Sequence, residues 1–346
     1  MSRSTETLRR SAVALVISLI ATASLTACSS HPDSGPTLTL YNGQQEATTA
    51  LLVAAFERET GIHVNVRSGD EAVLANDLAQ AGTKASADVF YSENTPTLRL
   101  LELRHLLAPV EPATLARFDP RFRSTAGDWI GVSARVDVMV YNTRELRPSD
   151  LPDSAMDLES PKWKGKIGVA PGDTDFQSVV GSIVRTHGEE GTLEWLDAIK
   201  ANAGSYVYSD NDVLTDAINR GQVELGLINV HSWFRERARI GASHMSSRIA
   251  FLRPLDSGYL LDVSGAAVLR SSHSPALAQR LVAFLASRAG ARILAGSPSY
   301  EYPLRSRVKA PKGLPPFNEL QPIPLSFNDL GDGSKAIEML RRAHLL

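Results

Sequence analysis

The sequence predicts an α/β protein built as two lobes around a cleft. Three observations carry this. Short β-like runs alternate with helix-like stretches along most of the chain, the pattern of sheets covered by helices. Two extended stretches, Trp129 to Tyr141 and Tyr259 to Arg270, exceed the usual strand length. They suit either segments that cross between lobes as hinges or long central strands. Finally, 346 residues with 43% in the hydrophobic set supply apolar surface for about two cores.

The elements follow from local pattern. Thr37 to Tyr41 reads as a strand, and Ala47, Ala50, Leu51, Ala54 and Ala55 then recur at helical spacing through Arg58. Ile62, Val64 and Val66 alternate with polar neighbours, as in a half-buried strand. A helix is expected over 71–81, a short strand from Asp88 to Tyr91, and a helix from Thr95-Pro96, a good start signal, through Leu107. Further on come a strand from Lys166 to Ala170, helices over 176–186 and 191–202, a helix near Asn211, a strand from Val223 to Asn229 and a helix from Trp233. Such alternation implies mostly parallel sheets. The expected lobes are 37–134 plus 262–312 and 135–261 plus 313–346.

The N-terminus carries Arg3, Arg9 and Arg10 ahead of an apolar run from Ala12 to Ile20, too short to span a bilayer in the usual way. Small residues follow, ending in Leu25-Thr26-Ala27-Cys28, which contains the only cysteine. Residues 1–27 read as a secretory signal; the Leu-Thr-Ala-Cys ending resembles a bacterial lipobox, which implies a lipoprotein signal peptide with Cys28 the lipidation site and the polar, turn-rich 28–36 a tether. The expected location is the outer face of the cytoplasmic membrane, lipid-anchored, as a monomer.

Charge and motif content exclude several classes. Lys plus Arg number 36 against 38 Asp plus Glu, for a net charge of -2, so the basic bias of nucleic-acid binding is absent. One cysteine excludes an intramolecular disulfide and cysteine metal cages. The chain has no GxSxG, P-loop, HExxH or strand-borne GxGxxG.

Ligands of open α/β sheets collect beyond the carboxyl ends of strands, where helix N-termini point free N-H groups. Four such ends carry polar clusters: Asn42-Gly43-Gln44-Gln45, Ser92-Glu93-Asn94, Gly172-Asp173-Thr174-Asp175 and Asn229-Val230-His231-Ser232. Each alone also reads as a loop with helix-capping residues. Their recurrence marks the cleft.

At this level the chain resembles the bacterial ferric-iron-binding proteins of ABC importers, within the type II periplasmic binding proteins. The matching stretches are Leu38-Thr-Leu-Tyr-Asn-Gly-Gln44, Phe56-Glu-Arg-Glu-Thr-Gly-Ile62, Ala87-Asp-Val-Phe-Tyr-Ser-Glu93, Pro161-Lys-Trp-Lys-Gly-Lys-Ile-Gly168, Gly226-Leu-Ile-Asn229, Val263-Ser-Gly-Ala-Ala-Val-Leu269 and Glu301-Tyr-Pro-Leu-Arg305. They keep the family's order across nearly all of the chain beyond the signal.

The resemblance implies a ferric ion between the lobes, held by a histidine, a glutamate and two adjacent tyrosines, with a small synergistic anion completing its shell. It also implies a permease and an ATPase as partners. Glu93 falls on the glutamate position, but the histidine position falls on Gln45 and the tyrosine pair on His231-Ser232. Asn94, Arg135, Asn211 and Asn229 match the anion side, and Asp173, Thr174 and Asp175 fill the loop that elsewhere offers small residues to the anion. The expected metal-side residues are Glu93, His231, Asp173, Asp175 and Gln45. Asn94, Arg135, Asn211, Asn229 and Thr174 line the rest. A set of carboxylate and imidazole suits Fe(II), Mn(II) or Zn(II) better than bare Fe(III). Tyr206 and Tyr208, just before Asn211, are the tyrosines able to restore a phenolate, and Trp233 is expected beneath the site.

Three readings stay open on sequence alone. The leading one is a lipid-anchored substrate-binding protein of an ABC importer with iron as cargo, not an enzyme. The second keeps the scaffold but takes an organic ligand such as a phosphorylated sugar, a phosphonate or a polyamine. The third is a secreted enzyme.

Overall fold

The computed structural model describes residues 35–305 and 307–346, so the signal segment and Cys28 lie outside the described residues. The strands are β1 (Thr37–Asn42), β2 (His63–Ser68), β3 (Val89–Ser92), β4 (Leu107–Ala108), β5 (Trp129–Asn142), β6 (Ile167–Gly168), β7 (Leu225–Asn229), β8 (Ser247–Ala250), β9 (Leu261–Leu269) and β10 (Tyr302–Pro303). The helices are α1 (Glu46–Thr60), α2 (Glu71–Ala81), α3 (Thr95–Leu103), α4 (Pro112–Leu115), α5 (Thr174–Ala203), α6 (Asn211–Asn219), α7 (Val230–Ile240), α8 (Pro275–Leu285), α9 (Arg288–Ala295), α10 (Phe327–Leu330) and α11 (Ser334–Arg342). Among the described residues, no helix is long and apolar enough to cross a membrane.

The strands join in the order β2-β1-β3-β9-β5-β7-β6, with β4 on β9 and both β8 and β10 on β5. Period-two alternation sorts their side chains onto two faces. Leu38, Leu40, Val89, Tyr91, Ala266 and Val268 meet Leu52 and Phe56 of α1 and Leu281 and Phe284 of α8 on one side. Tyr41, Phe90, Ala267 and Leu269 meet Leu74 and Leu78 of α2 and Leu98 and Leu101 of α3 on the other. Each such buried Leu or Phe contributes roughly 1.5–3 kcal/mol of transfer free energy, which is what holds helices to both faces.

A second core lies along the other end of β5. Val138, Met139 and Val140 pack with Val179, Ile183 and Leu196 of α5, Leu214 of α6, Phe234 of α7 and Met339 and Leu340 of α11. All residues of β5 are buried. Its first part pairs with β9 through Val136, and its second part pairs with β7 from Asp137 onward. One strand thus belongs to both halves. Tyr259, just ahead of β9, is in the second core, and Ala266 to Leu269 are in the first half. Both long stretches read from the sequence therefore pass between halves, as a two-lobe fold requires.

The sheet differs from the sequence expectation in direction. Among the described residues, β1 pairs parallel with β2 and β3, and β6 with β7. The pairings of β5 and β9 with each other and with β3, β4, β7, β8 and β10 are antiparallel. The sheet is mixed, because alternating pattern reports which segments are strands and not which way they run. The helix from Thr95 ends at Leu103, short of Leu107: His105 turns left-handed at φ 56, and Leu107 pairs with Leu269. The helices expected over 176–186 and 191–202 form the two arms of α5. They meet at Gly188, whose φ of 74 is a conformation that favours glycine.

Candidate functional site

Two helix starts face each other across the junction of the halves. From the first half, β3 delivers Ser92, Glu93 and Asn94 to the start of α3. The Asn94 side chain makes no cap bond to its own helix, so it is free to reach outward. Its Nδ2 donates to Thr174 Oγ1 at 3.1 Å and to Asp175 Oδ1 at 3.1 Å, at the start of α5 in the second half. Behind it, Glu71 of α2 accepts from Asn94 N at 2.7 Å and from Asn94 Nδ2 at 3.0 Å. Gly43 permits this placement, since a Cβ there would lie 2.5 Å from the Glu71 Cβ.

Arg135, on the shared strand β5, is fully buried at the centre. Its Nη1 donates to Glu93 O at 2.7 Å and Ser264 Oγ at 3.1 Å, and its Nη2 donates to Asp175 Oδ1 at 2.7 Å and Asn94 Oδ1 at 2.8 Å. Glu301 is a further neighbour at 3.7 Å. Burial works against the guanidinium's charge, but Asp175, Glu93, Glu301 and Asp262 outweigh it and keep Arg135 charged.

Glu93 and His231 close the site from opposite halves. The Glu93 side chain, 22% exposed, has its Oε1 at 4.0 Å from His231 Nε2 and 3.9 Å from Arg135 Nη2, and accepts from Gln45 Nε2 at 3.3 Å. Burial pushes its carboxyl up from the ordinary 4.5 to about 8, with Asp175, Glu301 and Glu71 adding to the rise and Arg135 opposing it. His231 is buried in the first turn of α7, and burial, then Arg235 and Arg135, hold its pKa well below the usual 6.5. The imidazole is neutral.

Its tautomer follows from its neighbour. Asn229 Nδ2 donates to Asp262 at 3.2 Å and Asp137 at 3.4 Å, so Asn229 Oδ1 accepts from His231 Nδ1 at 3.1 Å. The lone pair is then on Nε2, facing Glu93. This is the arrangement by which a second residue orients a metal-binding histidine.

The residues singled out from the sequence are thus brought together in two groups. Glu93, His231 and Gln45 face one another, with Asn229 behind the histidine. Asn94, Thr174, Asp175 and Arg135 interlock beside them. Asp173 caps α5 through Asp175 N at 2.9 Å and accepts from Asn211 N at 2.8 Å. Burial and the Asp175 charge push Asp173 up to about 7. Among the described residues, no three His, Cys, Asp or Glu side chains form a group able to hold a metal. Tyr206 and Tyr208 pack against the second core, and Trp233 donates from Nε1 to Ser247 Oγ at 3.2 Å in β8.

Four acidic residues of the site escaped sequence reasoning as functional positions. Glu71 reads as an ordinary first-turn acid of a helix. Glu301 is fully buried, accepting from Gln44 Nε2 at 3.1 Å and from Ser133 Oγ. Asp137 and Asp262 both accept from Asn229 Nδ2, at 3.4 and 3.2 Å, and burial raises both carboxyls, Asp262 to about 7. Their signal was present: an acid inside a long apolar strand is costly unless paired.

Two α/β halves strung on shared strands, with polar helix starts meeting over a buried arginine, define a two-lobe binding protein of the type II periplasmic class. Comparison with known proteins agrees. The chain belongs to the bacterial extracellular solute-binding protein family, whose model matches residues 38–297. It is 34% identical over 309 residues to the Fe(3+)-binding periplasmic protein of Serratia marcescens, covering 89% of this chain and 90% of that protein. It is 35% identical over 308 residues to a major ferric iron-binding protein of Neisseria meningitidis, covering 88% and 92%. The crystal structure of iron-bound HitA from Pseudomonas aeruginosa superposes with a TM-score of 0.85 at 38% identity, covering 89% of this chain and 99% of that one.

Proposed function

We propose that this protein is the substrate-binding component of an ABC importer and captures iron between its lobes, with Glu93 and His231 as the metal-holding pair. The observation that carries the reading is the oriented Nε2 lone pair of a neutral His231 facing the Glu93 carboxyl across 4.0 Å. Metal bonds of about 2.1 Å to each atom span up to about 4.2 Å, so one cation bridges the gap with little movement.

Charge supports a cation over a phosphorylated sugar. Arg135 lies 2.7 Å from Asp175 and 3.7 Å from Glu301, which offset its charge, and the neutral imidazole adds nothing. The relatives named above are described as binding ferric iron. Here neither Gln45 nor the pair His231-Ser232 offers a phenolate, and the imidazole and carboxylate favour the divalent ion.

The lobes 37–134 plus 262–312 and 135–261 plus 313–346 close about β5 and β9, and the closed form is presented to a permease and its ATPase. Cys28 tethers a monomer to the outer face of the cytoplasmic membrane; Cys28→Ala should leave the protein unprocessed or unacylated, and a lipid-modified mature chain in that variant, seen by mass spectrometry, would contradict the tether. Equilibrium dialysis against ferrous chloride under anoxia, with iron counted by elemental analysis, tests the cargo. The wild type should take up about one iron per chain, and Glu93→Ala should bind at least about tenfold more weakly, as loss of a charged ligand implies. Equal iron binding by both would contradict the assignment.

A further inference from the structure

We infer that Asp175 is the site's built-in counter-anion, so that the cation is bound without an anion taken from solution. For the metal this rests on the iron reading above; for the anion it stands on the arginine alone.

A buried guanidinium beside a ligand cleft ordinarily offers its N-H groups to an anion from outside. The terminal nitrogens of Arg135 have none to offer. They carry four N-H groups, and four acceptors take them: Glu93 O, Ser264 Oγ, Asp175 Oδ1 and Asn94 Oδ1. The remaining N-H, on Nε, is buried and makes no hydrogen bond. Asn94 Nδ2, the other donor at this point, is divided among Glu71, Thr174 and Asp175. The second Asp175 oxygen accepts from Asn211 Nδ2 at 3.3 Å. A carboxylate at the start of α5 therefore sits on Asn94 of the first half and on Arg135 of the shared strand, where a small anion would otherwise bridge the halves. An added anion would be a further negative charge beside Asp175 and Glu301, around a single guanidinium.

Two titrations test this. In the first, ferrous chloride is titrated anoxically into the metal-free protein in carbonate-free and phosphate-free buffer, then with millimolar bicarbonate, phosphate or formate. Wild-type affinity should change by less than about twofold. Asp175→Ala should bind iron at least about tenfold more weakly without anion and recover when formate fills the vacated place. In the second, phosphate alone is titrated by calorimetry into the metal-free proteins. Asp175→Ala should bind it, and the wild type should not. A wild type that needs bicarbonate or phosphate for iron, or that binds phosphate without metal, overturns the inference. So does an Asp175→Ala protein indifferent to every anion. If Asp175→Ala does not fold, the two wild-type titrations still decide. Failure of the wild type to bind iron under any condition overturns the iron reading instead, while the phosphate titration still answers for Asp175.

Discussion

His231 Nε2 lies 4.0 Å from Glu93 Oε1, one at the start of α7 in the second half and the other at the end of β3 in the first. The two atoms are too far apart for a hydrogen bond, yet both are held in place, His231 by Asn229 and Glu93 by Gln45. A pair kept at this separation across the line between lobes has room for one ion.

Replacing the histidine tests its side of the gap. His231→Gln keeps a polar side chain but removes the oriented imidazole lone pair, and should weaken ferrous iron by about tenfold or more. The melting temperature of the metal-free protein should change little, since a neutral buried group is exchanged for another. Anoxic titration followed by tryptophan fluorescence, with melting curves alongside, gives both numbers.

The glutamate imposes a pH dependence whose sign is fixed. Its carboxyl titrates at about 8 in the folded chain against the ordinary 4.5, so the folded state holds a proton that the unfolded state releases. Stability from this group is fully present below about pH 4.5, declines as pH rises toward 8, and levels off above that. Glu93→Gln should remove that decline, so the metal-free variant should melt higher than wild type at pH 8 and much like it at pH 5. Metal must displace the same proton, and wild-type affinity should rise with pH by at most about tenfold per unit below 8. Parallel stability curves for the two proteins would refute the role given to Glu93.

Arg135 is the electrostatic hub, and its removal should be felt in folding. Arg135→Met leaves Asp175 and Glu301 buried without their cation and should cost about 3–5 kcal/mol in urea unfolding of the metal-free protein. A loss below about 1 kcal/mol would contradict the place given to Arg135 at the centre of the site.

How much of this was legible in the sequence depended on range. The break between the arms of α5 was visible because Gly188 interrupts two apolar periodicities. Glu93, Asn94, Asp175 and His231 were visible because each ends a strand or begins a helix. Sheet direction was not, since β3 and β9 meet only in space and nothing in Val89–Ser92 records which way Leu261–Leu269 runs. The start of α7 at Val230 rather than Trp233 was missed for a similar reason: Asn229, His231 and Ser232 look like loop residues until their partners across the lobes are known. Glu71 was hidden most completely, because its partner Asn94 is reached only through the close contact at Gly43.

Colour offers an independent check. Tyr206 and Tyr208 pack with the second core, and burial, with Glu301 next, holds the Tyr91 phenol far above its usual range. Protein loaded with iron and oxidised in air should therefore lack the strong visible band of a phenolate bound to Fe(III). Such a band would show that a tyrosine joins the metal and that Glu93 and His231 do not act as the pair described.

The most direct test of the central claim is native mass spectrometry of the mature protein, isolated gently from cells grown with ample iron. The account predicts a bound mass of a single iron in the wild type and its absence in the double variant Glu93→Gln, His231→Gln. A wild type that carries an organic molecule in place of metal, or a double variant that retains its iron, would contradict it.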